Sequence, residues 1–231
     1  MKKISCFLLS TVLLICLLST SVFAAYSPSK AINYSDKYAL SANAISTLNT
    51  SGYNVYSNND CTNYVSQCIY TGGLPQDSEW KSTLVYGGRI PHRTDSNKWT
   101  VANELKNYLN SSGRSTKIGS WSLRGSPEPY RTFAYANDSN NLTSSNVGKV
   151  VLFYDWTGDG HMDHSAFFVQ NNHTSTYILP GTNRPEGTGD LINQHSTNRK
   201  HVLWRPDKRD IAQKETTRVY GFELKPDNWE K

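Results

Sequence analysis

Apolar residues recur at the three-to-four-residue spacing of a helix in three stretches of the first half of the chain, and each spacing predicts a helix. The first stretch covers residues 28–44. Its inward positions are Ala31, Tyr34, Tyr38 and Ala42. The last stretch runs from Lys98 to Leu109, with Ser96 as its N-cap and Gly113 as its stop. Its apolar positions are Trp99, Ala102, Leu105 and Leu109.

The middle stretch has the sequence DCTNYVSQC and is predicted as a short helix that starts at Cys61 and stops at Gly72. Asn59 or Asp60 can serve as its N-cap. Its apolar positions are Cys61, Tyr64, Val65, Cys68 and Ile69. Between the helices, residues 74–91 read as a loop packed against the body, in which Trp80 stands out.

The second half of the chain changes from helical to strand-like spacing. Residues 120–145, rich in Pro, Ser and Asn, read as a long surface loop with one short element near Phe133 to Ala136. Five β-rich runs follow, separated by Gly, Asn, Asp and Pro. These runs are Lys149 to Asp155, His164 to Gln170, Thr176 to Leu179, His201 to Arg205 and Thr217 to Leu224. Helices first and strands afterwards predict an α+β fold, with an antiparallel sheet packed on the cysteine helix.

The first 24 residues read as a secretory signal peptide, with Lys2 and Lys3 before an apolar run and small residues at Val22 and Ala24. The rest, 25–231, is long enough for one domain. Removing the leader lowers the formal charge from +5 to +3 and leaves two of the four cysteines. We therefore expect a secreted, mildly basic monomer with no membrane span, suited to an anionic cell wall and unlike a nucleic-acid binder.

The two remaining cysteines, Cys61 and Cys68, lie seven positions apart on one predicted helix. Their Cα atoms would be about 10 Å apart, beyond the reach of a disulfide. Cys61 is in the first turn, where the macrodipole and the unpaired N–H groups favour a thiolate. The two available interpretations are a cysteine nucleophile and a small buried residue on an amphipathic helix.

A thiolate nucleophile needs a base within hydrogen-bond reach. Among the six histidines, His164 stands out because it opens a predicted strand and can face a helix N-terminus from the edge of the sheet. The others lie in predicted turns or loops or head a later strand. His161 and His164 also flank Met162 and Asp163, which leaves a zinc hydrolase as a rival interpretation, although no HExxH motif is present.

Two segments resemble the signature blocks of the secreted putative amidase domain family, relatives of the NlpC-type and CHAP peptidases. They are DCTNYVSQC with the following YTGGLP, and VVLFYDWTGDGHMDHSAFFV. The resemblance implies a papain-like fold and a cysteine amidase or peptidase, with Cys61 as nucleophile and His164 as base. It places the third catalytic residue on a later strand, where His195 is our choice. Gln194, Asn198 and Asn183 remain alternatives.

In the implied mechanism the Cys61 thiolate attacks an amide carbonyl, the Cys61 backbone N–H helps to hold the oxyanion, and His164 transfers the protons. No metal or organic cofactor is required. Together with the leader, the resemblance implies a peptidoglycan or other peptide substrate. A secreted wall-binding module without activity is the main alternative, because fold alone does not establish chemistry and the chain holds six Trp and fourteen Tyr.

The segment between the two strands of the second block follows part of a calcium-loop pattern. Matching positions are Asp155, Thr157, Asp159, Gly160 and Asp163. Ala166 stands where an EF-hand would place a bidentate Glu. Calcium at Asp155, Asp159 and Asp163 is therefore one hypothesis, and an acidic hairpin turn that serves backbone geometry is the other.

Overall fold

The first residues that the structure describes follow directly after the predicted leader. The structure is a computed structural model that describes residues 25–124, 132–135, 142–179, 181–205 and 216–229. The predicted signal peptide lies outside the described residues. No helix in these ranges is both long and apolar enough to cross a membrane.

A seven-stranded sheet, antiparallel at every pairing, forms the centre of the molecule. Its order is β4-β3-β9-β5-β6-β7-β8. These strands are β3 Ser115–Arg124, β4 Thr132–Tyr135, β5 Val150–Asp155, β6 His164–Thr174, β7 Thr188–Gln194, β8 Arg199–Leu203 and β9 Arg218–Leu224. A separate hairpin pairs β1 Ser82–Val85 with β2 His92–Asp95.

Within the described residues, four α-helices precede the large sheet. They are α1 Pro28–Tyr38, α2 Cys61–Thr71, α3 Asn97–Thr100 and α4 Ala102–Ser111. Short 3-10 turns cover Ser144–Asn146 and Pro226–Asn228. Helices packed on an antiparallel sheet confirm the predicted α+β class, whereas the papain-like assignment remains a prediction.

Both faces of the sheet are buried, and β5 shows how. Val151 and Phe153 point to the face that carries the helices, while Leu152 and Tyr154 point to the opposite face. Side chains in a strand alternate between faces, so a strand covered on both sides is apolar throughout. All six residues of β5 are buried, as its VVLFYD sequence requires.

Helix α2 is buried around its whole circumference, which differs from the single buried face that its spacing predicts. Every residue from Cys61 to Ile69 is buried. Polar side chains on the face away from the sheet are paired with two tryptophans. Trp99 Nε1 donates to Asn63 Oδ1 at 2.8 Å, and Trp80 Nε1 donates to Ser66 Oγ at 3.0 Å. These bonds fix α2 against the rest of the helical layer.

The predicted boundaries of α2 are confirmed, with Cys61 as the first residue and Gly72 as the C-cap. The stretch 28–44 was predicted too long, because α1 ends at Tyr38. The stretch 98–109 is two helices, since Val101 adopts an extended conformation (φ −113°, ψ 124°) between α3 and α4. In the predicted loop 74–91, Trp80 is fully buried and β1 forms part of a hairpin.

The predicted strands β5, β8 and β9 are confirmed to within a few residues. Strand β6 is also confirmed, but it continues for four residues beyond its predicted end at Gln170. Three predictions were wrong. Residues 115–124 form β3 where a loop was expected from residue 120 onward. Residues 176–179 contribute only an isolated bridge, and β7 was missed because TGDLINQ begins with turn-forming residues.

Candidate active site

Cys61 lies at the N-terminus of α2, with 7% of its surface exposed. Asp60 occupies the N-cap position but makes no side-chain cap bond to the helix backbone, contrary to the expectation for a capping residue. The Cys61 backbone N–H instead donates to Ser196 Oγ at 3.1 Å. A turn 135 residues further along the chain thus satisfies the first amide of the helix.

His164 opens β6 and lies beside the Cys61 thiol. It is 7% exposed, and its backbone pairs with Tyr154 of β5. The imidazole lies against two aromatic rings: Trp156 stacks on it at 6.0 Å between centroids and 26° between planes, and Tyr154 is tilted at 5.5 Å. These contacts hold the imidazole ring at the N-terminal end of β6, beside the first turn of α2.

The pKa of the Cys61 thiol reflects two opposing causes. Burial raises the pKa. The charge and the hydrogen bond of the His164 imidazole lower it, with smaller contributions from Ser165 and Thr62, and together these outweigh the effect of burial. The pKa therefore falls from 9.0 to about 6. At neutral pH this thiol is largely a thiolate, which is the reactive form.

Cys68 provides a contrast on the same helix. It is fully buried, and burial raises the pKa of its thiol far above the ordinary value. Both cysteines are free, as their spacing predicts. One helix therefore holds one activated and one inert thiol, and only Cys61 has a histidine beside it.

Two hydroxyl groups join α2 to β6 directly behind the cysteine and histidine. Thr62 Oγ1 and Ser165 Oγ lie 3.1 Å apart and are hydrogen-bonded, and Thr62 Oγ1 is 3.7 Å from Cys61 Sγ. Both residues are fully buried. They were missed from the sequence, although each directly follows a predicted catalytic residue, and this adjacency was the available signal.

His195 does not support His164. Its Nδ1 lies 2.6 Å from Asp60 Oδ2, its Nε2 lies 2.7 Å from the Tyr38 carbonyl oxygen, and its ring stacks on Tyr64 at 4.1 Å. Both ring nitrogens are thus engaged on the far side of Cys61. The structure brings Cys61 and His164 together but places His195 against Asp60.

His164 Nε2 is buried and has no hydrogen-bond partner among the described residues. None of the alternative third residues fills this position. Gln194 donates to the Thr197 carbonyl oxygen at 3.3 Å, while Asn198 and Asn183 lie exposed in turns. The described site is therefore a cysteine and histidine pair, with aromatic rings rather than a polar group around the histidine.

The acidic loop between β5 and β6 uses its carboxylates to bind its own backbone. Both oxygens of the fully buried Asp155 accept N–H groups, from Gly158 at 2.5 Å and from Gly160 at 2.9 Å. Asp159 accepts from the His161 amide and Asp163 from the Trp156 amide, each at 2.8 Å. This geometry favours the hairpin-turn hypothesis.

The zinc interpretation needs histidines that converge on one point. Within the described ranges, no group of three or more His, Cys, Asp and Glu side chains is arranged to hold a metal ion. His195 has both nitrogens engaged elsewhere, and His164 faces the Cys61 thiol. The side chains of this region therefore fit thiol chemistry better than metal ligation.

Comparison with known proteins gives one family and two relatives. The profile of the family described as Putative amidase domain matches residues 25–221. The uncharacterized protein YjcM of Bacillus subtilis strain 168 is 29% identical over 188 residues, which cover 80% of this chain and 34% of that protein. The uncharacterized protein YhbB of the same strain is 27% identical over 139 residues, which cover 60% of this chain and 35% of that protein.

This chain thus spans about a third of the length of these curated relatives. No solved structure matches it. The family match includes α2 with Cys61 and β6 with His164. It confirms the resemblance to the family, whose description indicates amide hydrolysis, while the relation to NlpC-type and CHAP peptidases remains a prediction. The chain belongs to the putative amidase domain family.

Proposed function

We propose that this protein is a cysteine amidase in which Cys61 is the nucleophile and His164 is the general acid and base. The observation that carries the proposal is the Cys61 thiol at the N-terminus of α2, whose pKa His164 lowers to about 6. A structural thiol has no need of this arrangement, as Cys68 illustrates. Membership of the amidase family adds the reaction class.

The reaction proceeds in two halves. The Cys61 thiolate forms a bond to the amide carbonyl carbon, and the carbon–nitrogen bond breaks as His164 gives its proton to the departing nitrogen. A water molecule then gives a proton to His164 and adds to the thioester carbon. The carbon–sulfur bond breaks, which releases a carboxylic acid and restores the thiolate.

The developing oxyanion needs a donor close to the sulfur. The Cys61 backbone N–H is the nearest candidate, and Ser196 Oγ occupies it in this structure. The substrate oxygen would replace the Ser196 hydroxyl oxygen on this amide. Ser196 is only half-buried, so this exchange does not disturb the core.

Peptide amide bonds of peptidoglycan are the proposed substrate. The predicted secretory leader takes the protein to the outside of the cell, and the net positive charge that remains suits the anionic wall. The proposed location is therefore extracellular and the proposed partner is the wall itself.

The test is hydrolysis of purified wall peptides by the protein and by Cys61→Ser. We expect new amino groups with the wild type and none with Cys61→Ser, and a covalent acyl adduct on Cys61 in mass spectrometry. Iodoacetamide should abolish the activity while EDTA leaves it unchanged. Activity that survives in Cys61→Ser, or that EDTA removes, would contradict the thiol mechanism.

The wall-binding alternative also has an observation in its favour. A groove of about 490 Å³ between α1, the end of α2 and the loop that joins these helices is lined by aromatic and basic side chains. They include Lys30, Lys37, Tyr34, Tyr38 and Tyr53. If binding is the function, Cys61→Ser should sediment with purified wall sacculi as well as the wild type does, without any released product, and Lys30→Glu with Lys37→Glu should abolish the sedimentation.

A further inference from the structure

His195 and Ser196 form the start of the turn between β7 and β8, and both contact the first turn of α2. His195 reaches the residue before the nucleophile, through Asp60 Oδ2, and Ser196 reaches the amide of the nucleophile itself. Together these bonds cap a helix whose own N-cap side chain makes no cap bond. The two contacts come from consecutive residues, so the turn acts on α2 as one unit.

Asp60 is held by donors on both carboxylate oxygens. Oδ1 accepts the Tyr56 backbone N–H at 3.0 Å and Asn63 Nδ2 at 2.8 Å, and Oδ2 meets His195 Nδ1 at 2.6 Å. The residue is 4% exposed. A buried carboxylate on the residue before Cys61 would disfavour a thiolate unless its charge were balanced.

His195 supplies that balance. Its Nε2 faces the Tyr38 carbonyl oxygen, which can only accept, so this nitrogen carries a proton. One further proton is shared between Nδ1 and Asp60 Oδ2. Whichever atom holds this proton, the Asp60 and His195 pair has no net charge, and Cys61 has an electrically neutral neighbour.

The surroundings of the pair contain few other charges. The titratable side chains that face it are Tyr64, which stacks on His195, Tyr56, which interacts electrostatically with Asp60, and Cys61 itself. A comparable pair, His201 with Asp36, is joined to β7 through Asn193, and among the described residues neither side chain is hydrogen-bonded to Asp60 or Cys61. The neutrality at Asp60 therefore depends on His195.

The backbone of Ser196 adopts a conformation that is unfavourable for serine. Its φ of 68° lies in the left-handed region that favours glycine. A serine held in this conformation costs stability, and such residues concentrate at functional sites. In this conformation Ser196 Oγ points at the Cys61 amide, so the unfavourable backbone allows the hydrogen bond to Cys61 to form.

We propose that His195 and Ser196 are positioning residues for the nucleophile: His195 neutralises and fixes Asp60, and Ser196 holds the Cys61 amide until the substrate oxygen takes its place. The inference rests on the proposed function only in naming Cys61 as the nucleophile. It differs from the role of third catalytic residue, because it acts on α2 and not on His164. The two roles predict different behaviour when Asp60 is changed together with His195.

The test measures iodoacetamide labelling of Cys61 between pH 5 and 9 by mass spectrometry. His195→Gln keeps a hydrogen-bond donor but leaves the Asp60 charge unbalanced, so the labelling curve should move up by about one pH unit and the rate at pH 6 should fall about fivefold. The double variant Asp60→Asn with His195→Gln removes the charge as well. Its rate should return to within about twofold of the wild type.

A triad role would give the opposite result for the double variant. If His195 supported His164, changing Asp60 could not restore the rate, and a double variant as slow as His195→Gln would overturn the proposal. Wild-type labelling of His195→Gln at pH 6 would overturn it too. His201→Gln is the matched control, since it breaks a 2.8 Å bond to Asp36 of the same kind and should leave the curve in place.

A second variant tests the amide contact without relying on His195→Gln being folded. Ser196→Gly removes the hydroxyl while suiting the left-handed backbone. We expect faster hydrogen exchange at the first turn of α2, with no loss of thermal stability. Unchanged exchange in this turn would overturn the role of Ser196. Slow labelling of wild-type Cys61 below pH 7 would instead refute the proposed function and leave these contacts standing.

Discussion

The Trp156 ring stacks on His164 at 6.0 Å and 26°, on a histidine whose Nε2 has no hydrogen-bond partner among the described residues. A histidine that works as a base must be held in one orientation, and a third polar residue often does this. Trp156 provides a flat apolar surface for the same purpose. Trp156 lies directly after the C-terminal end of β5, beside the start of β6 where His164 lies.

Replacing Trp156 should therefore reduce the reactivity of Cys61. We expect Trp156→Ala to slow iodoacetamide labelling at pH 6 by about tenfold, because a freely rotating imidazole spends less time beside the thiolate. Trp156→Phe keeps a stacking ring and should recover most of the rate. Equal rates in Trp156→Ala and wild type would show that Tyr154 alone positions the histidine.

The pH dependence of labelling follows from the pKa of Cys61. Only the thiolate reacts, so the rate should rise with pH around a midpoint of about 6, well below the 9.0 of an ordinary thiol. In His164→Ala the lowering influence is lost and burial remains, so the midpoint should move above 9. A midpoint near 9 in the wild type would contradict the assignment of His164 as the partner.

The acidic loop should respond to mutation but not to calcium. Asp155→Ala removes the acceptor for two amides at a fully buried position and should lower the free energy of unfolding by about 1–3 kcal/mol. Millimolar calcium should leave the melting temperature unchanged, since the carboxylates already accept backbone donors. A calcium-dependent rise in melting temperature that Asp155→Ala abolishes would restore the metal hypothesis.

The sequence was sufficient for those parts of the site whose signals are local. Cys61 starts α2 and Gly72 ends it, and both positions could be predicted because turn and cap preferences act over a few residues. The break at Val101 was missed because apolar spacing continues across it. Periodicity shows which residues are buried and is insensitive to one extended residue between two helices.

The partner of His195 could not be predicted in the same way. Asp60 and His195 are 135 residues apart, and each alone resembles an ordinary polar residue at the end of an element. The antiparallel order of β5, β6 and β7 brings the turn between β7 and β8 back to the first turn of α2. The resemblance to the family indicated this segment but could not show which side of Cys61 it contacts.

The burial of α2 from Cys61 to Ile69 determines when the Cys61 thiol acquires its lowered pKa. From Cys61 to Ile69 the helix is enclosed by the sheet, by other helices and by Trp80 and Trp99, so its first turn is assembled only when these parts meet. A newly made chain that has not yet folded carries an ordinary, mostly protonated cysteine. The lowered pKa of Cys61 is therefore acquired together with the folded core, and under the proposed mechanism an unfolded molecule would not be active.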